Sequence, residues 1–399
     1  MAAVTSAGDT ERRSALSWAL YVALGGFAYL LNGLGAVLGP LQRDLGVSRA
    51  AIAFYPTLLA GGLIGVGLVG GRLVGRLGRR RVLVFALAAS GGGALLLVVP
   101  VRSISLTGAI VFGAAGALLV QLVPALLVSL HPRQGTAFVG EANALASVAS
   151  VLAPLLVAAG LAGGLGWRPG YLVGAAAMPV LAVRISRTPA DRIQPPGRPS
   201  QAGRSRAPRT YVHRWADVLL AVSVEFAMVL WVAAAFVEWH GVGLSAAAAM
   251  VSVFLVGMAA ARVLASPVTA RVADVGHVIV GSCVVAAVGF ALFWTAGAAG
   301  SSAGLALAGL GTGLLYPATL TRAIAAWPTS PDTAAARAAL ASGLAIGGAP
   351  AILAWLSEAV GLRTAYLLVP ALLMVLVAHI VMRGEAPQTP GPASTDQLT

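Results

Sequence analysis

Charged side chains are scarce in this 399-residue sequence: they make up 10% of it, whereas hydrophobic residues make up 58%. A soluble globular protein carries about 25% charged residues. The mean hydropathy of +0.89 agrees with this imbalance. Because a water-soluble core cannot hide so much apolar sequence, the composition excludes a soluble globular protein and predicts an integral membrane protein.

Cysteine and histidine are also rare. The single cysteine, Cys283, excludes an intramolecular disulfide and a CxxC metal site. The sequence contains no HExxH zinc motif, no serine–histidine pair inside the apolar runs and no glycine-rich nucleotide loop. We therefore expect neither an enzyme nor a bound metal or cofactor. We also expect no coupling to ATP hydrolysis.

Lysine is absent, so all 26 basic residues are arginine. Most of them lie between apolar runs, and they form no basic face with interleaved aromatics, so we expect no nucleic-acid partner. With the N-terminus inside the cell, 21 of the 26 would be cytoplasmic, all except Arg43, Arg49, Arg102, Arg168 and Arg363. Because inner loops are enriched in arginine, this bias predicts a multi-pass protein of the cytoplasmic membrane with both termini in the cytoplasm.

The apolar residues are grouped into runs long enough to cross a membrane, which takes about 20 residues per helix. Their number predicts twelve transmembrane helices. The runs cover residues 15–39, 51–70, 82–100, 104–130, 136–163, 167–184, 215–238, 246–268, 277–299, 302–326, 335–357 and 363–383.

The polar segments divide the chain into two six-helix halves. Residues 1–14 are polar and lead into the first run without a signal-peptide cleavage site, so they predict a cytoplasmic tail. The halves span residues 15–184 and 215–383. Residues 185–214 are rich in Pro, Arg, Ser and Gly and predict a cytoplasmic linker, and residues 384–399 predict a disordered tail.

The two halves carry matching residues at nearly constant spacing. The pattern Gly-x-Arg-x-x-Tyr at 166–171 recurs at 361–366, an offset of 195, and the Ala-Pro pair at 153–154 recurs at 349–350, an offset of 196. Such matches in sequence order indicate a duplication. Because each copy has six spans, the copies should be related by an axis along the membrane normal.

The segment between the second and third runs, residues 71–81, resembles the loop motif of the major facilitator superfamily, G-x-L-[AG]-D-R-x-G-R-[RK]-[RK]. The sequence departs from the family at Gly75, where the motif has Asp. The resemblance implies an all-α fold of twelve helices in two pseudo-symmetric bundles, and a gating role for this loop. The matching residues are Gly71, Leu73, Arg76, Gly78, Arg79, Arg80 and Arg81.

Two further motifs of the family are incomplete. The fourth run has no arginine before Gly113, and the fifth run keeps Pro154 but has alanine where exporters have glycine. Both departures weaken the similarity to proton–drug antiporters.

A few polar side chains fall inside the apolar runs, where burial is costly and function is the default interpretation. Glu225, in the seventh run, lies about eight residues past the cytoplasmic end of the span, roughly 12 Å deep at 1.5 Å per residue. It is our first candidate for proton coupling, although binding of a cationic solute and a structural role stay open; Glu141 is the second candidate. The candidates for a substrate cavity are Asn32, Gln121, Asn143 and Tyr316.

These features favour a secondary transporter that moves a small organic solute by alternating access, with proton-coupled efflux as the leading form. Uptake by symport or uniport is one alternative, and a membrane receptor or scaffold is another. The expected partners are the solute, protons and membrane lipids, and a monomer is expected.

Overall fold

The computed structural model describes residues 14–131, 134–189, 193, 206–271 and 274–383. This part of the chain contains twelve helices long and apolar enough to span a membrane and no strands, which confirms the predicted fold class. Short turns interrupt α2, α10 and α12. The spans are α1 Ala15–Leu45, α2 Arg49–Leu77, α3 Arg79–Leu97, α4 Arg102–Leu130, α5 Ala137–Ala162, α6 Arg168–Ser186, α7 Arg209–His240, α8 Leu244–Ala265, α9 Val275–Thr295, α10 Ala298–Ala325, α11 Thr333–Val360 and α12 Leu362–Met382.

Several helices extend beyond the apolar runs that predicted them. Helix α1 continues to Leu45, and α7 begins at Arg209, so residues 209–214 are helical and do not belong to a linker. Arginine and glutamine are good helix formers, and their long side chains can reach polar surroundings from a helix end. The tails at 1–13 and 384–399 and half of the predicted linker lie outside the described residues.

The helices alternate in direction, so the bundle has two ends. One end carries the first and last described helix termini and the α2–α3 turn; we call it the termini end. The other carries the α1–α2, α7–α8 and α11–α12 connections; we call it the far end. Within the first half, α1 packs on α5, and α4 packs on α2 and α3. Within the second half, α7 packs on α11, and α10 packs on α8 and α9. The pairing is the same in both halves.

Glycines allow helix backbones to touch at equivalent places in the two halves. A Cβ on Gly108 would overlap the backbone of Leu97, and one on Gly304 would overlap that of Phe293. Each residue of the second pair lies 196 positions after its counterpart. Small residues permit such close approach between membrane helices.

A polar contact is duplicated as well. Arg168 donates from Nε to the Val98 carbonyl at 3.0 Å, and Arg363 donates from Nη2 to the Trp294 carbonyl at 2.9 Å. In each bond the carbonyl lies at the far end of a helix, α3 in the first half and α9 in the second. The arginine comes from the last helix of the same half, α6 or α12. Together with the glycine contacts, they confirm the two pseudo-symmetric bundles predicted from the sequence repeats.

Replacing a packed glycine should therefore destabilise either half. In Gly309→Ala, the new methyl group would overlap the Phe254 carbonyl, whereas a Cβ on Gly281 meets open space. Overpacking costs about 1–3 kcal/mol, so the Tm of purified Gly309→Ala should fall clearly below wild type. Gly281→Ala is the matched control; equal Tm values for the two variants would contradict the packing described here.

Candidate functional site

A cavity of about 240 Å³ lies between the two halves. Its lining comes from seven helices, α1, α2, α4, α7, α8, α10 and α11, so neither half forms it alone. Three of the residues predicted from the sequence line it: Gln121, Glu225 and Tyr316. The cavity therefore brings polar side chains from both halves together.

Glu225 lies near the midpoint of the 32-residue helix α7, roughly 24 Å along the axis from Arg209 at 1.5 Å per residue. Glu225 is therefore a carboxylate at the centre of the bundle, with its side chain 12% exposed.

Arg262 of α8 is the charged neighbour of Glu225. Its Nη2 lies 3.9 Å from Oε1 of Glu225, and its Nη1 donates to the hydroxyl of Ser147 at 3.1 Å. Ser147 belongs to α5, in the other half. Arg262 thus touches both halves and lines the cavity, with its side chain 39% exposed.

Tyr316 and Gln121 complete the polar lining. Tyr316 from α10 and Ser342 from α11 line the cavity on the side of the second half. Gln121 of α4 lies against α2, where a Cβ on Gly70 would come within 2.8 Å of the Gln121 Oε1. The absence of a side chain at Gly70 therefore makes room for the amide.

The other three predicted residues lie away from this cavity. Asn32 donates to the Ser150 hydroxyl at 3.0 Å, and Glu141 accepts from the Tyr21 hydroxyl at 2.7 Å, so both join α1 to α5 inside the first half. Asn143 is exposed and donates to the carbonyl of its own helix at 3.0 Å. Residue depth can be read from a sequence, but the helix rotation that turns these side chains aside cannot.

The arginine-rich loop is a one-residue turn. Gly78, with φ of 81°, is the only residue between α2 and α3; this backbone conformation favours glycine. Arg80 donates to the carbonyl of Ser186 at the end of α6, as expected for a cation at a helix C-terminus. Gly71 and Arg76 instead lie within α2 and are exposed, and a Cβ on Gly71 would meet open space.

A cluster at the far end was not predicted from the sequence. Arg49 at the start of α2 pairs with Glu238 at the end of α7, with 2.6 Å between Nη2 and Oε2. It also donates to the Ser357 hydroxyl at 3.4 Å, and Glu358 accepts from the Ala50 backbone at 2.8 Å. We call these side chains the far-end seal because they join the halves across α2, α7 and α11.

A second buried carboxylate, Asp217, lies near the termini end of α7. Its Oδ1 is 2.5 Å from Nδ1 of His379 in α12, and its Oδ2 is 3.5 Å from Arg214. The side chain is 1% exposed. The sequence analysis missed it because residue 217 appeared to stand at the edge of the apolar run.

Removing this carboxylate should destabilise the second half. Breaking a buried charged pair costs about 3–5 kcal/mol because the partner is left uncompensated. Asp217→Asn should therefore lower the Tm of the purified protein. The matched control is Asp44→Asn, which breaks a pair with Arg168 that is about one-third exposed and should cost about 0–1 kcal/mol. Equal effects of the two substitutions would show that Asp217 is not held as described.

Comparison with known proteins places this geometry in context. Residues 20–299 match the family model described as the Major Facilitator Superfamily. No curated protein matches the chain.

Three solved structures share the fold. A bacterial homologue of the human lysosomal transporter Spinster, inward-facing and occupied, has a TM-score of 0.75 at 14% identity, covering 95% of this chain and 100% of its own. The nucleoside transporter NupG has a TM-score of 0.75 at 14% identity, covering 92% of this chain and 100% of its own. The Escherichia coli fucose:proton symporter FucP has a TM-score of 0.61 at 16% identity, covering 94% of this chain and 100% of its own.

The family model spans well over half of the sequence, and the twelve-helix, two-bundle architecture agrees with it. The chain therefore belongs to the Major Facilitator Superfamily, a family of multi-pass membrane transporters.

Proposed function

We propose that this protein is a proton-coupled secondary transporter that exports a small organic solute by alternating access. The observation that carries the proposal is Glu225, a carboxylate at the centre of the bundle that lines a cavity built by both halves. Ionisable residues at this depth mark substrate and proton pathways. Sites between the repeats of a transporter are where substrates and coupling ions bind.

The described contacts support a cavity that is closed toward the far end. The far-end seal joins the halves there, and Ser245 and Ser252 of α8 donate to carbonyls of α5 at 2.9 and 2.7 Å. Toward the termini end, the last described polar contact between the halves is Arg262 to Ser147. With the arginine bias placing the termini in the cytoplasm, we propose that the structure faces inward.

Glu225 is the proposed coupling residue, with Glu141 in reserve. A carboxyl group that is alternately accessible from the two sides of the membrane can carry a proton across as the halves rock. Arg262 favours the ionised form of Glu225 by its charge, and protonation would weaken the contact between them. Since Arg262 also holds Ser147, proton binding at Glu225 would loosen a link between the halves.

The loop between α2 and α3 is proposed to assist this motion. Arg80 ties it to the end of α6, which is in the same half. In our proposal Arg79, Arg80 and Arg81 therefore stabilise the termini end of the first half as a unit and do not recognise the solute. The acid that the family motif has at Gly75 is missing, so this loop lacks one partner for such contacts.

The coupling role predicts a specific loss in Glu225→Gln. The glutamine keeps the size of the side chain but cannot exchange a proton, so the variant should not concentrate solute against its gradient when a pH step is imposed. The measurement is flux of a solute found by ligand screening, in proteoliposomes containing wild type or the variant.

The matched control is Glu141→Gln, which removes a carboxylate from the α1–α5 contact and should leave pH-driven accumulation in place, scaled to the amount of folded protein. If Glu225→Gln still accumulates solute in response to the pH step, Glu225 is not the coupling residue. If only Glu141→Gln loses accumulation, the reserve candidate takes its place.

A further inference from the structure

The cavity contains two opposite charges whose hydrogen-bonding capacity is largely unused. The distance of 3.9 Å between Oε1 of Glu225 and Nη2 of Arg262 is too long for a hydrogen bond. The Glu225 carboxylate accepts no hydrogen bond from the described residues. Arg262 has five N–H donors, and its only described hydrogen bond is the one to Ser147. Both groups therefore retain capacity for a ligand.

The remaining wall of the cavity is mostly apolar. Phe27, Leu31, Phe226 and Ile346 contribute to it. The volume of about 240 Å³ is below the 300–1,000 Å³ that is typical of sites for drug-sized ligands. A compact solute with an apolar body fits this wall better than a large amphiphile.

We infer that the site takes a zwitterion, specifically an α-amino acid with an apolar side chain. Its ammonium group would bind the Glu225 carboxylate, and its carboxylate would accept two parallel hydrogen bonds from the Arg262 guanidinium. The ammonium and carboxylate of an α-amino acid are neighbours, as are Glu225 and Arg262. The two charges of the ligand and those of Glu225 and Arg262 would then alternate in sign at the corners of a square. Glu225 and Arg262 could therefore stay in contact while the ligand binds.

Charge balance favours this ligand over singly charged ones. A singly charged cation bound to Glu225 would leave Arg262 without its counter-charge. A singly charged anion bound to Arg262 would leave Glu225, which is more deeply buried, without its counter-charge. An uncompensated charge in an apolar site is costly. This inference rests on the proposed function, since it names the solute that the transporter would carry. Protonation of Glu225 would remove the partner of the ammonium group, so the proton and the solute would compete for this residue.

Binding of matched probes to the purified wild-type protein tests the inference. L-leucine and L-phenylalanine are compared with analogues that keep the same side chain. These are 3-methylbutylamine and 2-phenylethylamine with the ammonium only, 4-methylpentanoate and 3-phenylpropanoate with the carboxylate only, and the corresponding alcohols with neither. Calorimetry should show that at least one amino acid binds about tenfold or more tightly than each of its analogues, because it makes both charge-assisted interactions, whereas each analogue makes one or neither.

Two variants assign the charges separately. Glu225→Gln should weaken binding of the amino acid about tenfold or more and leave binding of the carboxylate analogue unchanged. Arg262→Gln should weaken binding of the amino acid equally and leave binding of the amine unchanged or make it tighter. Asp44→Asn, which removes an acidic charge outside the cavity, should bind all probes as wild type does.

Three results would overturn the inference: an amine that binds as tightly as its amino acid, a carboxylate that does so, or no preference among the probes in either series. Counterflow of the tightest probe in proteoliposomes separates this inference from the proposed function. Binding with the predicted charge dependence but without flux would reject transport and keep the zwitterion site. Flux of other solutes without amino-acid binding would keep transport and reject the zwitterion.

Discussion

A carboxylate placed in the middle of an apolar helix bundle must be compensated, and the central part of this protein is arranged around that requirement. Among the described residues, the charged neighbour of Glu225 is Arg262, at a distance that provides attraction without a hydrogen bond. In a low-dielectric setting the attraction across such a contact is stronger than it is in water, and it is lost when the carboxylate binds a proton. A fully hydrogen-bonded pair would be more stable and less responsive. The loose pairing leaves room for a ligand and for a proton.

The helix packing is suited to moving this site between two sides of the membrane. Within each half, glycines bring helix backbones into contact, as Gly108 does against Leu97 and Gly309 against Phe254. Such packing leaves little freedom for sliding, so each half should move as a rigid body. Between the halves, α5 packs on α8 and α2 packs on α11, and polar bonds join the same helices, including those of the far-end seal. Rocking of one half against the other therefore has to separate these interfaces at one end while each half keeps its own packing.

The duplication explains why the two halves can be alike in structure and unlike in chemistry. Arg168 and Arg363 make the same bond to equivalent carbonyls, so the scaffold is conserved between the copies. The charged pair belongs to the second half alone, on α7 and α8, while the first half contributes Gln121 and the Ser147 contact. Rocking of one copy against the other thus changes the surroundings of Glu225 without changing its scaffold.

Much of the fold could be predicted from the sequence, because hydropathy, arginine placement and repeat spacing all depend on residue order alone. Helix ends were less predictable, since polar residues such as Arg209 continue a helix past its apolar run. The site was predicted only in part. Gln121, Glu225 and Tyr316 line the cavity, but Asn32 and Asn143 face elsewhere, because rotation about the helix axis is set by packing. Arg49 and Asp217 were missed because their partners, Glu238 and His379, are far away in the sequence.

The alternating-access claim can be tested most directly by the accessibility of Gln121. Cys283 is the only native cysteine and is buried, so Gln121→Cys in a Cys283→Ala background can be labelled with a membrane-impermeant thiol reagent in vesicles of known orientation. The predicted result is labelling from the side of the termini alone, shifting toward the other side when Glu238→Gln removes the ion pair of the far-end seal. Labelling from the far side in the background protein, or a pattern that Glu238→Gln leaves unchanged, would contradict a cavity that opens to one side at a time under the control of that seal.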